Sequence, residues 1–315
     1  MRALVISGGG SKGAYAGGVA EHLIRVQKKK YDLFVGTSTG SLLLTHLALG
    51  KIDKLYRLYT EVNQKSIFNR NPFVIKKKGN REYVGINYFN TLLQFIKHKR
   101  TFGESENLKK LINSNLSKEE YERARIETSD IVVTVSNLTK GVVEYKSIQK
   151  YSYEEFCDWI WISCNFVPFM SLAKRKGNEY ADGGFGALVP IREAIRRGAT
   201  EVDAIILKAE NLDRRQVLGK NPFSLMMSLF QFMSNQIESN NVIEGDLVGQ
   251  LKNVDINLYY TPSKLIENSL IFDKTLMKNW WQQGFEYASR RAVEKQDPTL
   301  VKKWIEFLKR QNPFS

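Results

Sequence analysis

The chain has 315 residues, of which 43% are hydrophobic and 25% charged, and its formal net charge is +14. This composition is typical of a globular protein with one large domain or two ordinary ones. Its two cysteines, Cys157 and Cys164, exclude a disulfide framework, and its three histidines have no Cys or His partners at ligand spacing, so no metal site is expected.

The N-terminus, MRALVISGGG, runs from a strand pattern straight into a glycine turn. It lacks the basic region and cleavage site of a signal peptide, and no apolar run in the chain is long enough to span a membrane. We therefore expect the chain to begin at or near Met1 and to lie in the cytoplasm, with peripheral contact to the inner face of a membrane as a further expectation.

The first fifty residues alternate between strand and helix patterns. RALVIS (2–7) and DLFV (32–35) have the unbroken apolar character of buried parallel strands. Helices are predicted from the glycine run through Val26 and over 39–49. A βαβα start of this kind predicts a parallel sheet.

The α/β pattern continues beyond residues 60–105, which are basic and aromatic and predict an irregular cap or insertion. The later elements are a helix over 106–125, a strand over 130–138 with a hairpin partner over 141–148, a short strand ending in YADGG (180–184), a helix closed by Gly198, and strands over 201–210 and 254–262. We predict a three-layer α/β/α sandwich with a central, mainly parallel sheet over 1–262, and a helical extension over 263–315 packed on or beside it.

Positive charge is concentrated between Glu61 and Thr101, where nine Lys and Arg residues stand against two Glu. Such a field attracts anionic surfaces, whether phospholipid headgroups or nucleic acid. A solvated basic face that only keeps the protein in solution is the equally open alternative.

The sequence GGGSKG (8–13) first suggests a nucleotide site. A dinucleotide site also needs an acidic residue at the end of the second strand, but Gly36 follows Val35 there, and Asp32 lies at the opposite end. A P-loop needs Lys and Ser or Thr after its last glycine, and Ala14 stands there instead. Both nucleotide interpretations are therefore disfavoured.

The sequence GTSTG (36–40) places Ser38 between two glycines at a strand-to-helix junction. The pattern is that of a nucleophile elbow, in which a sharp turn exposes the serine at a helix N-terminus. A purely structural tight turn is the alternative. In a parallel sheet, the loop after the first strand lies at the same edge of the sheet as Ser38, so the amides of Gly9, Gly10 and Ser11 are candidates to bind an oxyanion.

A base for Ser38 is not found among the histidines. His46 lies about 12 Å along the helix from Ser38, and no histidine follows His98, so the usual Ser–acid–His order cannot be completed. Asp182 in YADGGFG is the remaining candidate, because a buried carboxylate within reach of the hydroxyl can accept its proton. An ordinary Asp-Gly turn is the alternative.

Taken in order, GGGSKG, GTSTG and DGG (182–184) resemble the motifs of the patatin-like phospholipase family. The glycines that carry this resemblance are Gly8, Gly13, Gly36, Gly40, Gly183 and Gly184. The stretch WISCNFVPFM also resembles the family's serine-to-proline segment, although Val167 replaces its first proline. The resemblance implies that Ser38 is the nucleophile, Asp182 the proton acceptor and Gly9, Gly10 and Ser11 the oxyanion hole, with no metal or other cofactor.

The function implied by this resemblance is hydrolysis of a phospholipid or another acyl lipid, of the phospholipase A or lysophospholipase type, through an acyl-enzyme. Peripheral contact with an anionic membrane is expected and a nucleic-acid partner is not. Two alternatives stay open: an acyltransferase that uses the same dyad, and a catalytically silent membrane-binding module. Apolar segments at 156–170 and 221–233, and an amphipathic helix at 299–310, are candidates for lipid contact or for core.

Overall fold

The computed structural model of the chain describes residues 1–78, 81–209, 222–262, 265 and 269–296. Within them the strands are β1 (Arg2–Ile6), β2 (Leu33–Thr37), β3 (Phe73–Lys78), β4 (Arg81–Ile86), β5 (Asp130–Asn137), β6 (Val142–Ser147), β7 (Ala173–Arg175), β8 (Asn178–Asp182), β9 (Glu201–Ala209) and β10 (Asp255–Thr261).

The α-helices of the same residues are α1 (Gly13–Glu21), α2 (Thr39–Ala48), α3 (Ile52–Glu61), α4 (Gln64–Ile67), α5 (Tyr88–Ile96), α6 (Glu106–Asn115), α7 (Lys118–Glu127), α8 (Tyr153–Ser163), α9 (Ile191–Arg196), α10 (Pro222–Lys252) and α11 (Lys274–Gln296). A π-helical turn over His22–Val26 continues α1. No helix in the described residues combines the length and the apolar character needed to cross a bilayer.

The main sheet has eight strands and is mixed, with a parallel centre. Strands β10, β9, β1, β2 and β5 follow one another and pair in parallel. Strands β6, β7 and β8 add antiparallel pairs at the β5 end. The predicted parallel sheet and the hairpin partner of β5 are therefore both present.

Strand β5 has three partners and so fixes the geometry of that end of the sheet. Its residues 130–134 pair with β2 and its residues 135–137 pair with β8, while β6 pairs along 132–137. Because the β6 pairing overlaps both of the others, β6 occupies one edge of β5, and β2 and β8 lie end to end along the other.

Side chains alternate between the two faces of the sheet, and each face carries its own helices. Leu4 and Ile6 of β1 join the cluster that contains α1, α2, α8 and α11. Ala3 and Val5 point to the opposite cluster, which contains α9 and part of α10. The predicted three-layer α/β/α sandwich is confirmed.

Helix α11 packs on α1 through large aromatic side chains against small residues. The Trp281 ring lies where a side chain at Gly17 would be, and its indole nitrogen donates to Glu21 at 2.7 Å. The Tyr287 ring is 6.1 Å from the Tyr15 ring. The described part of 263–315 thus packs on the sandwich. The boundary between the predicted domain and its extension stays a prediction. The helix predicted at 299–310 lies outside the described residues.

Two predictions of local structure differ from the fold. Residues 60–105, predicted to be irregular, contain α4, the antiparallel hairpin β3–β4 and α5. The helix predicted over 106–125 is two helices, because Ser117 begins α7 by accepting the Glu120 amide while the Glu120 carboxylate accepts the Ser117 amide. This reciprocal cap satisfies amides that a continuous helix would have paired within itself.

Candidate active site

Ser38 lies in the turn between β2 and α2, with backbone angles φ 54° and ψ −125°. Such angles are unfavourable for a residue with a side chain and occur where the surrounding structure enforces them. The enforcement is visible at Gly40, where a Cβ atom would overlap the carbonyl oxygen of Ile6. The turn is therefore the strained elbow that the spacing of Gly36 and Gly40 predicts.

The elbow is anchored by a residue that sequence reasoning missed. The hydroxyl of Ser163, in the last turn of α8, accepts a hydrogen bond from the Ser38 amide at 2.9 Å and donates to the Thr134 carbonyl at 2.7 Å. It also lies 3.0 Å from the hydroxyl of Ser41. The segment WISCNF was assigned to a pocket or core, and no local pattern distinguishes a serine that supports a turn 125 residues away.

Asp182 ends β8 and is buried, with 4% of its surface exposed. Its amide donates to the Asn165 carbonyl at 2.9 Å, and its side-chain oxygen accepts the Gly184 amide at 2.8 Å. A side chain at Gly183 would overlap the Thr134 carbonyl, so the glycines after Asp182 allow the turn to lie directly on β5.

Burial raises the pKa of Asp182 from 3.8 to about 7, because the charged carboxylate loses its hydration. Hydrogen bonding from the Ser38 side chain and from the Gly184 amide opposes this rise without cancelling it. A carboxyl with such a pKa exchanges its proton near neutral pH, which suits it to general-base chemistry.

Ser38 and Asp182 meet because their strands share an edge of β5. Thr37, the last residue of β2, is opposite Thr134, and Asp182, the last residue of β8, is opposite Val135. The two strands approach from opposite directions and stop at consecutive residues of β5. The sheet register therefore brings the serine and the carboxylate together from positions 144 apart in the sequence.

The glycine loop after β1 lies against the elbow. A Cβ atom at Gly8 would be 3.2 Å from the Ser38 Cβ and 2.6 Å from the Leu188 side chain, so the glycine keeps this approach free of close contacts. The loop then forms a single 3-10 turn over Gly10–Lys12 that leads into α1 at Gly13. The side chain of Lys12 donates to the Leu207 carbonyl, which ties the loop to β9.

The three predicted oxyanion donors are not equivalent in this conformation. The Ser11 amide donates to the Ser269 carbonyl at 2.8 Å, and the Ser11 hydroxyl donates to the same oxygen at 3.1 Å. Among the described residues, the amides of Gly9 and Gly10 donate no hydrogen bond. Two of the three amides thus have no protein acceptor among the described residues, whereas the Ser11 amide is bound to Ser269.

Two of the three histidines have structural partners away from the elbow. His46 lies 3.0 Å from the Asn115 carbonyl, and the His22 ring packs edge-on against Phe285 at 5.3 Å. The Cys164 thiol, in contrast, does touch the elbow, since it donates to the Ser38 carbonyl at 3.2 Å. Burial raises the pKa of this thiol well above its usual value, so it stays protonated and is no competing nucleophile.

Phenylalanine rings pack beside the Asp182 turn. Phe166 stacks on Phe185 with centroids 5.0 Å apart, and Phe230 of α10 meets Phe166 edge-on at 5.5 Å. Phe169 joins the same cluster, 6.0 Å from Phe166. Both apolar segments predicted as candidates, 156–170 and 221–233, contribute to this phenylalanine cluster. In the described part of the chain, no group of three or more Cys, His, Asp or Glu side chains is arranged to hold a metal ion.

Comparison with known proteins identifies relatives of the chain. A family model described as patatin-like phospholipase matches residues 4–195. A protein of Escherichia coli described as a cUMP-AMP-activated phospholipase is 40% identical over 65 residues, which is 19% of this chain and 20% of that protein. This chain therefore matches about a fifth of that relative's length.

A solved structure resembles most of the chain in fold. The crystal structure of VipD from Legionella pneumophila matches with a TM-score of 0.51 and 13% sequence identity, over 92% of this chain and 66% of VipD. At that identity the likeness concerns the fold alone. The family model, by contrast, covers more than half of the chain and includes the glycine loop, the elbow and Asp182.

Proposed function

The chain belongs to the patatin-like phospholipase family, and on that premise we propose that it is a lipid acyl hydrolase of the phospholipase A or lysophospholipase type, acting through Ser38 and Asp182. Membership in the family implies a hydrolase of lipid esters. The observation that supports the dyad most is the pairing of Thr37 and Asp182 with consecutive residues of β5, which sets the serine beside a buried carboxyl.

In the first step, the Ser38 hydroxyl oxygen attacks the ester carbonyl carbon and its proton passes to the Asp182 carboxylate. The pKa of about 7 supports this role, since a stronger acid would be a poorer base and a weaker acid would be protonated at neutral pH. The Ser38 backbone already has the strained conformation of an elbow, so the proposed attack needs no backbone reorganisation.

The negative charge that develops on the carbonyl oxygen is stabilised by the amides of Gly9 and Gly10, with the Ser11 amide as a third donor once it is released from Ser269. The N-terminus of α2, which begins at Thr39, adds a favourable dipole. Removal of one such donor in other acyl-transfer enzymes lowers the rate by about 10²–10³.

Collapse of the tetrahedral intermediate breaks the bond to the lysolipid or alcohol oxygen, which takes the proton from Asp182. The acyl group remains on Ser38 as an ester. Water then attacks that ester while Asp182 accepts its proton. In a second collapse Asp182 gives this proton to the Ser38 oxygen, which releases the fatty acid and restores the Ser38 hydroxyl. An acceptor that outcompetes water would turn the same sequence of steps into acyl transfer.

The test is fatty-acid release from a panel of phospholipids, lysophospholipids and neutral glycerides, with EDTA present throughout. Ser38→Ala and Asp182→Asn should each abolish release, whereas the exposed Ser129→Ala and Asp255→Asn should not. Because one relative is described as activated by cUMP-AMP, each assay is run with and without that nucleotide.

The outcomes separate the alternatives. Release that survives EDTA and is lost in both dyad variants supports the proposal, and the panel identifies the substrate class. If a fluorophosphonate labels Ser38 but no lipid is hydrolysed, acyl transfer to another acceptor becomes the better hypothesis. If neither reaction occurs, the silent membrane-binding module replaces the proposal.

A further inference from the structure

Helix α5 is amphipathic in the reverse sense: its apolar side chains face solvent and its polar ones face the protein. Five of its six large apolar residues are between 55% and 79% exposed, namely Tyr88, Phe89, Leu92, Phe95 and Ile96, and the sixth, Leu93, is half-buried. Thr91 and Gln94, on the opposite side, are only 7% and 1% exposed. Single exposed apolar residues are common on proteins, but five together in nine residues mark an interaction site.

The orientation of α5 is held by polar contacts on its inner side. The Asn87 amide donates to the Pro72 carbonyl at 2.7 Å, and the Asn87 side chain caps the helix by accepting the Asn90 amide at 3.1 Å. The Asn90 side chain donates to the Asn71 carbonyl at 2.9 Å. These bonds keep the apolar face, defined as the five residues above, turned outward.

Charge next to the apolar face indicates the chemistry of its partner. Lys97, Lys99 and Arg100 follow α5 directly and are all exposed. Lys99 and Arg100 are partly balanced by ion pairs with Glu104 at 3.2 Å and Glu179 at 2.6 Å, but the segment between Glu61 and Thr101 still carries nine Lys and Arg against two Glu. An apolar surface bordered by cations matches an anionic lipid interface.

A second exposed stripe lies on the first turns of α10. Leu225, Leu229, Phe232 and Met233 are between 43% and 56% exposed and fall on one side of that helix. The other side of α10 carries Phe223 and Phe230, which pack on Phe169 with centroids 6.1 and 5.9 Å away. Helix α10 therefore contacts the phenylalanine cluster directly, whereas α5 reaches it through Phe102.

An unbroken series of ring contacts joins the apolar face to the Asp182 turn. The Phe95 ring is 6.2 Å from Phe102, and the Phe102 ring is 5.8 Å from Phe169. Phe169 contacts Phe166, which in turn stacks on Phe185, three residues after Asp182. A protein partner or a second copy would gain nothing from such a series, whereas an acyl chain is an apolar ligand that has to travel from a membrane to the ester-cleaving residues.

We propose that the apolar face of α5 is the surface by which this protein docks on an anionic phospholipid bilayer. Its apolar side chains enter the interface, the exposed cations at 97–100 lie at the headgroups, and the phenylalanine cluster receives the acyl chain. The docking itself requires no turnover, and only the entry path rests on the proposed function.

The experiment is co-flotation with phosphatidylcholine vesicles that contain or lack phosphatidylglycerol, carried out with full-length protein in a Ser38→Ala background so that no lipid is consumed. The double variant Phe89→Ser, Leu92→Ser should lower partition into phosphatidylglycerol vesicles by at least about tenfold, since burial of one large apolar side chain already corresponds to such a factor. Ile126→Ser on α7, which removes a side chain that is 79% exposed, is the matched control and should bind like the parent.

Two further readouts make the result decisive. Binding by the parent should weaken with added salt and with vesicles of phosphatidylcholine alone, as expected for cation–headgroup contacts. Both variants should keep the parent's melting temperature, because the replaced side chains project into solvent. If Phe89→Ser, Leu92→Ser fails to lower vesicle binding, the lipid-docking proposal is wrong. If the variant instead changes only the size of the protein on gel filtration, a second copy is the partner of this face.

Failure of this inference is distinguishable from failure of the proposed function. Vesicle binding that depends on α5, without hydrolysis of any lipid by the protein with Ser38 intact, would leave docking standing and remove the hydrolase. Hydrolysis of vesicle lipids that is unchanged by Phe89→Ser, Leu92→Ser would support the hydrolase and remove docking through α5.

Discussion

The Ser163 hydroxyl accepts the backbone amide of Ser38 at 2.9 Å while it donates to the Thr134 carbonyl at 2.7 Å. A side chain from the end of α8 thus links the strained turn after β2 to the neighbouring strand β5. The contact holds the backbone of the proposed nucleophile and does not touch its hydroxyl, which makes Ser163 a positioning residue.

Ser163→Ala leaves the buried Ser38 amide without its acceptor, which costs about 1–3 kcal/mol. We expect the elbow to relax and kcat to fall by at least about tenfold with little change in KM, because bound lipid would still be held by the apolar surfaces. Steady-state kinetics on a phospholipid substrate measures the split.

The control for this prediction is Ser147→Ala. Ser147 is also buried and its hydroxyl also accepts a backbone amide, that of Gln149 at 3.1 Å. It is the last residue of β6, where it pairs with Val132 of β5, and among the described residues it has no hydrogen bond to the elbow. It should lose stability without losing kcat. Equal kinetic losses in the two variants would remove the positioning role of Ser163.

The activity should depend on pH through Asp182. The proposed base must be ionised to accept the Ser38 proton, and burial raises its pKa to about 7. We therefore expect kcat/KM to fall about tenfold per unit as the pH drops below about 7 and to level off above it. A rate profile between pH 5 and 9 measures the midpoint, and a midpoint near 4 would show that the essential group is not a buried carboxyl.

The same residue should lower the stability of the fold at alkaline pH. Its pKa is 3.8 in the unfolded reference and about 7 in the folded chain, so between these values the folded state binds the extra proton and the unfolding free energy falls as the pH rises. Above pH 7 the full penalty, up to about 4 kcal/mol, applies. Asp182→Asn should therefore raise the melting temperature more at pH 8 than at pH 5.

The comparison with wild type at each pH is essential, because burial also raises the pKa of Glu238 to about 7. That group titrates in the same window in both proteins, and its contribution cancels in the difference. An Asp182→Asn effect that is the same at pH 5 and pH 8 would contradict the raised pKa of Asp182.

Gly40→Ala should be severely destabilising. The added methyl group would overlap the Ile6 carbonyl, which belongs to a central strand and cannot move away cheaply. We expect a loss of at least about 1–3 kcal/mol in unfolding free energy together with loss of activity. Gly85→Ala is the matched control, because nothing lies within 4 Å of a Cβ atom at that position, and its denaturant midpoint should stay near that of wild type.

The sequence predicted those parts of the molecule whose signals are local. The strand-to-glycine junctions at Gly8 and Gly36 predicted both βα turns. Asp182 was the remaining candidate base beside the alternative of an ordinary Asp-Gly turn, and the family resemblance favoured the base. The three-layer fold followed from the alternation of apolar runs with helix patterns.

What sequence reasoning missed depends on contacts distant in the chain or on orientation. Ser163 and Ser38 are 125 positions apart, and Ser269 meets Ser11 across 258 positions, so no pattern within either segment predicts the bond. Residues 60–105 were predicted to be an irregular cap because they are basic and aromatic, and α5 lies within them. The periodicity of an amphipathic helix does not tell which of its faces is exposed, so the outward apolar side of α5 could not be predicted.

The shared edge of β5 has a consequence for how the pair behaves on warming. Thr37, next to Ser38, pairs with Thr134, and Asp182 pairs with Val135. Because Thr134 and Val135 are adjacent in β5, the separation of Ser38 and Asp182 depends on one peptide unit of that strand rather than on several independent loops. Thermal motion of the outer helices should leave the separation of the two groups almost unchanged. We therefore expect the activity of the intact protein to persist with rising temperature and to disappear together with the hydrogen-exchange protection of the β5 amides, in one transition instead of two.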